Sequence, residues 1–358
     1  MLVAGDFASS QTRMSEEDWA ALAARIEGGA STLNLRLEAC AKRGDANAAC
    51  QLLEEAKGSN VHADRVSYVT LIKAHVVAGD YHGAKGALTE MLNLSLDPED
   101  IGFNLVINAA AKARSPANAE GLLADMHYHR VRPDAISYNS LIHAYVRARD
   151  LAGAKHALVG LREKQSRVRP VISHYNVLAE AHAKNGDVGQ VEHLLNEASA
   201  DMLQPTTTTY TALMKAHCRA SDVARAGMVL QELKHQQLQP DIICYSVLNA
   251  AHAAKGDIEA VKGFLKQCLE AQLEPDQASY GSLVKAYAHT NYIADAEGVL
   301  TNMRDCQVAP NLKIYTTLMN ACARIGHIDA AERTLSSLVQ QRLQPDSSVS
   351  YALLKARK

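Results

Sequence analysis

The chain has 358 residues, of which 47% are hydrophobic, and its formal net charge is −2 at pH 7. This charge excludes a globally basic surface, so a polyanionic partner would have to bind a local basic stripe. The chain has no run of eighteen apolar residues that could span a membrane, and its seven cysteines include no C-x-x-C pair. That cysteine pattern favours buried thiols in a reducing compartment over a disulfide scaffold or a zinc site.

The first 29 residues are predicted to be a lead-in followed by a capping helix. Residues 1–14 carry no pattern, whereas Ser15 and Asp18 form a capping box for a helix over residues 16–27. Trp19, the single tryptophan, is expected to pack this helix onto the next one. The segment is acidic where a targeting peptide would be basic, so we expect this chain to carry no targeting peptide.

From residue 30 onward, prolines and aromatic residues recur at a fixed interval. Eight of the nine prolines are 35 residues apart, with one interval of 37, and an aromatic follows each by five residues, or by six at Tyr351. The prolines are Pro98, Pro133, Pro170, Pro205, Pro240, Pro275, Pro310 and Pro345. Such regularity predicts an array of units, each of which buries its apolar face against its neighbours.

The interval defines nine units and a terminal half unit. The units are 30–64, 65–99, 100–134, 135–171, 172–206, 207–241, 242–276, 277–311 and 312–346, and a half unit or cap follows over 347–358. Each unit holds two runs of helical periodicity, so we predict an all-α fold, an α-solenoid of helix–turn–helix repeats. The two extra residues of the fourth unit are assigned to the polar stretch 163–167.

The turns and close contacts of each unit are also predicted. Four Gly-Asp pairs between the helices should supply a left-handed residue and a helix cap, namely Gly44-Asp45, Gly79-Asp80, Gly186-Asp187 and Gly256-Asp257. Pro116 should open its helix. Alanines are expected where paired helices approach most closely, at Ala84, Ala119, Ala154, Ala226, Ala296 and Ala331. The repeated aromatics are expected to pack between the two helices rather than to stack on a ligand.

Positions two, five, nine and thirteen of each unit share one face of the first helix. Position two holds mostly small or β-branched residues, Val66, Ile101, Ile136, Ser173, Thr208, Ile243, Ala278 and Lys313. Position five holds mostly short hydrogen-bonding side chains, Asn34, Asn104, Asn139, Asn176, Thr211, Ser246 and Thr316, with Val69 and Gly281 in the other two units. Such side chains both donate and accept, as reading the edge of a base requires.

The last position of each unit is usually polar. It holds Asp64, Glu99, Asp134, Val171, Thr206, Asp241, Asp276, Asn311 and Asp346. An aspartate at this point could equally cap the next helix, and both interpretations stay open.

Basic residues recur at the thirteenth position. They are Lys42, Lys112, Arg147, Lys184, Arg219 and Arg324, and Lys73, Lys215 and Lys285 lie on the same face at the ninth position. Evenly spaced phosphates would explain such a stripe, whereas favourable placement at a helix C-terminus explains part of it.

The repeated unit resembles the pentatricopeptide repeat. The family phrase is nearly spelled by Ile136-Ser137-Tyr138-Asn139-Ser140-Leu141-Ile142, and the family's Pro-Asp ending is present at Pro133-Asp134, Pro240-Asp241, Pro275-Asp276 and Pro345-Asp346. The resemblance covers residues 30–358. It implies a right-handed superhelix that binds single-stranded RNA, one base per repeat, in a mitochondrion or plastid.

The resemblance also implies roles for the site residues. Second-position residues of adjacent repeats would sandwich each base, while the fifth and last residues together would select it. Asn34/Asp64 and Asn104/Asp134 then resemble uracil readers, and Thr211/Asp241, Ser246/Asp276 and Thr316/Asp346 resemble guanine readers. Asn139/Val171 and Asn176/Thr206 favour a pyrimidine, whereas Val69/Glu99 and Gly281/Asn311 depart from the code. The implied site is 5′-U-N-U-Y-Y-G-G-N-G-3′.

Metal binding and catalysis receive no support from the motifs. His75, His182, His217 and His252 recur in register, but Cys40, Tyr145, Tyr287 and Cys322 replace them elsewhere. Packed helices lie about 8–10 Å apart, so neighbouring rings could not share an ion without distortion, and we interpret the position as a semi-polar packing slot. No metalloprotease, deaminase or phosphate-loop motif occurs, so we expect no cofactor and no enzymatic activity.

The sequence therefore predicts a sequence-specific RNA-binding protein that stabilises, processes or regulates translation of organellar transcripts. The alternative is a structural or scaffold subunit of an organellar ribonucleoprotein such as the mitochondrial ribosome, with other subunits as partners.

Overall fold

The computed structural model describes residues 30–59, 61–162 and 168–356. The predicted capping helix with Trp19 and the polar stretch 163–167, to which the two extra residues of the fourth unit were assigned, lie outside these residues. The described residues form nineteen α-helices and no β-strand, so the predicted all-α class is confirmed. No helix among them combines the length and apolar character needed to cross a membrane.

The chain divides into two compact units, Met1–Val177 and Leu178–Lys358, with the division inside the ninth helix. The helices of the first unit are α1 Ala30–Arg43, α2 Ala46–Gly58, α3 Arg65–Ala78, α4 Tyr81–Asn93, α5 Glu99–Lys112, α6 Pro116–Tyr128, α7 Ala135–Arg147, α8 Leu151–Arg162 and the start of α9 Ile172–Asn185. The helices of the second unit are the rest of α9, then α10 Val188–Ala200, α11 Thr207–Arg219, α12 Val223–His235, α13 Ile242–Ala254, α14 Ile258–Glu270, α15 Gln277–His289, α16 Ile293–Asp305, α17 Leu312–Ile325, α18 Ile328–Gln340 and α19 Ser347–Ala356.

Within each unit, the first helices of successive repeats stack on one another. In the first unit α1 packs on α3, α3 on α5 and α5 on α7; in the second, α11, α13, α15, α17 and α19 form the equivalent series. Each second helix packs against first helices, as α2 does against α1 and α3. First helices therefore form one layer of each unit and second helices the other.

The turn between the two helices has the same backbone conformation in every repeat. Its fifteenth residue has a positive φ throughout, between 57° and 77°, at Gly44, Gly79, Arg114, Arg149, Gly186, Ser221, Gly256, Asn291 and Gly326. Asp45, Asp80 and Asp257 cap the following helix as predicted, through a hydrogen bond from the backbone N–H three residues on. The prediction is wrong for Asp187, which makes no side-chain cap and lies 3.4 Å from His182 instead.

The repeated aromatics pack between paired helices. Tyr68, Phe103, Tyr175, Tyr210, Tyr245 and Tyr315 are buried, and the Tyr68 hydroxyl donates to Glu90 on α4 at 2.9 Å. Tyr351 differs, because it comes one residue later, at position five, and it is 68% exposed. The six alanines predicted at close helix contacts are all fully buried, and α6 begins at Pro116, as predicted.

All seven cysteines are free thiols. Cys40, Cys244, Cys268 and Cys322 are buried, and Cys218 is half-buried. Burial raises the pKa of Cys218 and of Cys322 to about 11, so both thiols stay protonated at neutral pH.

Candidate nucleic-acid interface

The second-position residues lie on the exposed side of the first helices. All eight are exposed, and the large apolar ones expose half or more of their surface, from 50% for Val66 and Ile243 to 61% for Ile136. Single exposed apolar side chains are ordinary on a protein surface, but here they recur at one position of successive repeats. Val66, Ile101, Ile136 and Ile243 each offer an aliphatic surface against which a flat ring can pack.

Two of the predicted reading pairs are in direct contact. The Asn34 amide donates to the two carboxylate oxygens of Asp64 at 3.2 and 3.3 Å, and the Asn104 amide donates to Asp134 at 3.2 Å. In both pairs the two residues are half-buried. The structure therefore brings together the fifth and last residues of these repeats, which are 30 positions apart in the chain.

Each of these aspartates also caps the next helix. Asp64 accepts from the backbone N–H of Ser67 at 2.9 Å, and Asp134 accepts from that of Ser137 at 2.9 Å. Burial alone would raise the pKa of both carboxyl groups, but the hydrogen bonds from serine and asparagine outweigh it and hold each pKa below its usual range. Capping the next helix therefore leaves each carboxylate able to accept from the asparagine of its own repeat.

The third-position serines were not predicted from the sequence. Ser67 and Ser137 are fully buried, and their hydroxyls lie 2.6 and 2.5 Å from the amide oxygens of Asn34 and Asn104. The signal available was a serine three residues after an N-cap aspartate, which also forms a capping box.

The three pairs predicted to read guanine are arranged differently. Thr211 is 4% exposed and its hydroxyl donates to the Thr207 carbonyl at 2.7 Å, and the Thr316 hydroxyl donates to Leu312 in the same way at 2.8 Å. The Ser246 hydroxyl is buried and has no hydrogen-bond partner among the residues that the structure describes. In the described part of the chain none of these three side chains hydrogen-bonds to the aspartate that ends its repeat.

The remaining repeats depart from both patterns. Glu99 forms an ion pair with Arg65 at the start of its own repeat. In the repeat with Gly281, the Asn311 amide donates to the Gln277 side-chain oxygen at 2.5 Å. Gln277, at the first position, was not predicted, yet it lies one helical turn before the position that Gly281 leaves without a side chain. Asn176 is half-buried and Thr206 begins a capping box for α11.

The basic residues fall into two groups. Lys112 donates to the Val76 carbonyl at 3.2 Å, Arg324 donates to the Ala288 carbonyl, and Lys73 and Lys215 pair with Glu38 and Glu180 at 2.9 and 3.0 Å. Within the described residues, Arg147, Lys184, Arg219 and Lys285 are exposed and make no polar contact. Lys42 is also exposed.

The recurring histidines lie against acidic side chains. His75 and His252 each lie 2.9 Å from the aspartate that caps the second helix, Asp80 and Asp257, and His217 lies 4.0 Å from Glu192. A methyl group at Gly83 would approach the His75 ring to 2.1 Å, so glycine makes room for the ring. Among the described residues, no group of three or more histidine, cysteine or acidic side chains could hold a metal ion.

Family models match nearly the whole repeat region. A model described as the pentacotripeptide-repeat region of PRORP matches residues 24–207, which is more than half of the chain. The PPR repeat family matches residues 205–254, and the pentatricopeptide repeat domain matches 264–324 and 299–356. No curated protein matches significantly.

Solved structures of pentatricopeptide repeat proteins share the fold. The chain is similar to the maize pentatricopeptide repeat protein PPR10, with 19% identity and a TM-score of 0.73 over 95% of this chain and 53% of that one. It is also similar to PPR10 in complex with an 18-nt psaJ RNA element, with 20% identity and a TM-score of 0.67 over 95% and 56%. The chain thus spans about half the length of these structures.

The family models and the helix–turn–helix repeats agree, and the chain belongs to the pentatricopeptide repeat family.

Proposed function

We propose that this protein binds single-stranded RNA, one base per repeat, without covalent chemistry. The observation that carries the proposal is the contact of Asn34 with Asp64, repeated for Asn104 and Asp134, on helices whose second-position side chains are exposed. Ile101 lies on the same helix as Asn104, and Val66 and Ile136 lie on the helices that Asp64 and Asp134 cap, so aliphatic surfaces to hold a base accompany polar groups to read its edge. The solved complex of PPR10 with RNA supports the same class of ligand.

The proposed target follows 5′-U-N-U-Y-Y-G-G-N-G-3′. Repeats of the first unit would bind the 5′ part and those of the second unit the 3′ part. We further propose that the target is a mitochondrial or plastid transcript, which the protein stabilises, processes or regulates in translation. The proposed organelle comes from the family resemblance.

Fluorescence anisotropy with a matching nonamer, with adenine at N, and a scrambled nonamer tests this function. We expect the matching RNA to bind at least about tenfold more tightly, which corresponds to one or two net hydrogen bonds. Equal affinity for the two RNAs would contradict sequence-specific readout.

A recoded repeat provides the matched control. Asn104→Ser gives the third repeat the fifth, last and following third residues of the seventh repeat, which are Ser246, Asp276 and Ser279. We expect this variant to prefer guanine over uracil at the third nucleotide and to keep its preferences elsewhere. An unchanged uracil preference would contradict reading by the fifth residue.

A scaffold role in an organellar ribonucleoprotein is the second candidate. It is favoured by Val69 and Gly281, because neither side chain can hydrogen-bond to a base. Co-sedimentation with ribosomal particles, together with no preference among the nonamers, would support this candidate over the first.

A further inference from the structure

The third residue of a repeat contacts the reading pair of the repeat before it. Ser67 is 0% exposed, and its hydroxyl lies 2.6 Å from Asn34 Oδ1 and 3.0 Å from Asp64 Oδ1, while accepting from the Asp64 backbone N–H at 3.2 Å. Two repeats later, Ser137 makes the same contacts with Asn104 and Asp134, at 2.5, 2.9 and 3.1 Å. The same three-residue arrangement therefore occurs twice.

The chemistry of the three groups fixes the orientation of the amide. A carboxylate only accepts hydrogen bonds, so Asp64 requires the NH₂ group of Asn34 to face it. The amide oxygen then faces Ser67, whose single hydroxyl proton goes to the nearer acceptor, Asn34 Oδ1. Both ends of the amide are held, and one N–H and one oxygen lone pair remain to contact a base.

The fourth repeat shows the amide without these partners. Asn139 is the fifth residue of this repeat, and the last residue is Val171, whose side chain cannot accept a hydrogen bond. The third position of the next repeat holds His174 in place of serine. His174 Nδ1 accepts from the Val171 backbone N–H at 3.1 Å, so its Nε2 carries the proton and donates to the Ala135 carbonyl at 2.9 Å. As a result, Asn139 Oδ1 is buried and has no hydrogen-bond partner in the described part of the chain.

We propose that Ser67 and Ser137 are positioning residues that determine base selectivity by fixing the amides of Asn34 and Asn104. The proposal rests on the proposed RNA-binding function. A fixed amide presents its donor and its acceptor in one order, which suits either uracil or cytosine but not both. An amide that can turn over accommodates either pyrimidine.

The test uses the full chain with Ser67→Ala and Ser137→Ala combined, and RNAs with uracil or cytosine at nucleotides one and three. We expect the uracil-over-cytosine affinity ratio at these positions to fall about threefold to tenfold, as loss of one net hydrogen bond implies. Ser67→Thr with Ser137→Thr should restore the ratio, since Thr209 occupies the equivalent position in another repeat.

Ser279→Ala is the matched control. Ser279 is also fully buried, and its hydroxyl donates to Asp276 at 2.7 Å. The hydroxyl of Ser246, the fifth residue of the preceding repeat, has no hydrogen-bond partner within the described residues. This variant should therefore lose comparable thermal stability and leave the ratio at nucleotides one and three unchanged.

Gain of selectivity provides a second measurement should the double alanine variant fail to fold. Val171 is 37% exposed, so an aspartate there stays solvated. We expect Val171→Asp with His174→Ser to favour uracil over cytosine at nucleotide four more strongly than Val171→Asp alone does. A wild-type protein without uracil preference would contradict the proposed function. A wild-type preference that survives the alanine substitutions, or equal selectivity of the two fourth-repeat variants, would overturn the role of the serines.

Discussion

At the scale of single residues, the side-chain carboxylates of Asp64 and Asp134 each accept hydrogen bonds from two consecutive repeats. Each caps the first helix of the next repeat and accepts from the asparagine of its own repeat. Periodicity predicts where these residues lie, but it cannot give their contacts. Ser67 lies 33 residues from Asn34, on the buried side of its helix, where an ordinary core residue would satisfy the pattern equally well. Thr211 shows a second limit of the periodicity: it was predicted to form a reading pair with Asp241, but its hydroxyl donates to a carbonyl of its own helix.

These two carboxyl groups make stability depend on pH in acid. Each pKa is held below its usual value in the folded protein, so the stabilisation is fully present above the unfolded pKa, about 3.9, and is lost as the pH falls through the lower folded value. We expect Asp64→Asn with Asp134→Asn to lower the thermal midpoint at pH 7. The difference from the wild type should shrink below about pH 4, as thermal unfolding between about pH 2 and 7 would show. A difference that stays constant over this range would contradict the assignment.

At the scale of helices, the sequence predicts most of the fold because each repeat carries its own start and stop signals. Aspartate caps, the residue at the turn and the buried aromatic at position four all recur at one interval, and the helices follow them. Tyr351 is the exception, because it lies one residue off the interval, at position five, and its ring is 68% exposed. The glycines identify the left-handed turn in only some of the repeats, because Arg114 and Arg149 also adopt a positive φ at this position.

Substitutions at two glycines of the second repeat would measure the effects of backbone strain and of helix propensity separately. Gly79 has a φ of 77° and Gly86 lies exposed within α4, and a methyl group at either would meet no atom within 4 Å. We expect Gly79→Ala to destabilise the repeat by about 1 kcal/mol, because an L-residue is strained at this φ. Gly86→Ala should stabilise it by roughly 0.5–1 kcal/mol. Native-state hydrogen exchange of the α3 and α4 amides would measure both, and shifts of the same sign would contradict the explanation.

At the scale of the whole molecule, a net charge of −2 means that the proposed RNA binding depends on the local arrangement of cations. Sequence periodicity indicates six basic residues at position thirteen, but it cannot distinguish those available to a phosphate from those bound to the protein. The difference depends on contacts between consecutive repeats. Lys112 and Arg324 each reach a carbonyl near the end of the preceding first helix, where a cation is favoured by the helix dipole.

Arg219 and Arg324 allow this distinction to be measured within one unit, since both are exposed arginines at position thirteen. Arg219 makes no polar contact in the described part of the chain, whereas Arg324 donates to Ala288 and, at 2.7 Å, to Asn291. Each phosphate of a single strand that a cation neutralises adds about 0.7 to the slope of log K against log salt. We therefore expect Arg219→Gln to reduce the slope by that amount with little change in thermal stability. Arg324→Gln should lower the thermal midpoint and change the slope less. Equal slopes for the two variants across a salt titration of the matching nonamer would contradict the division of the cations into two groups.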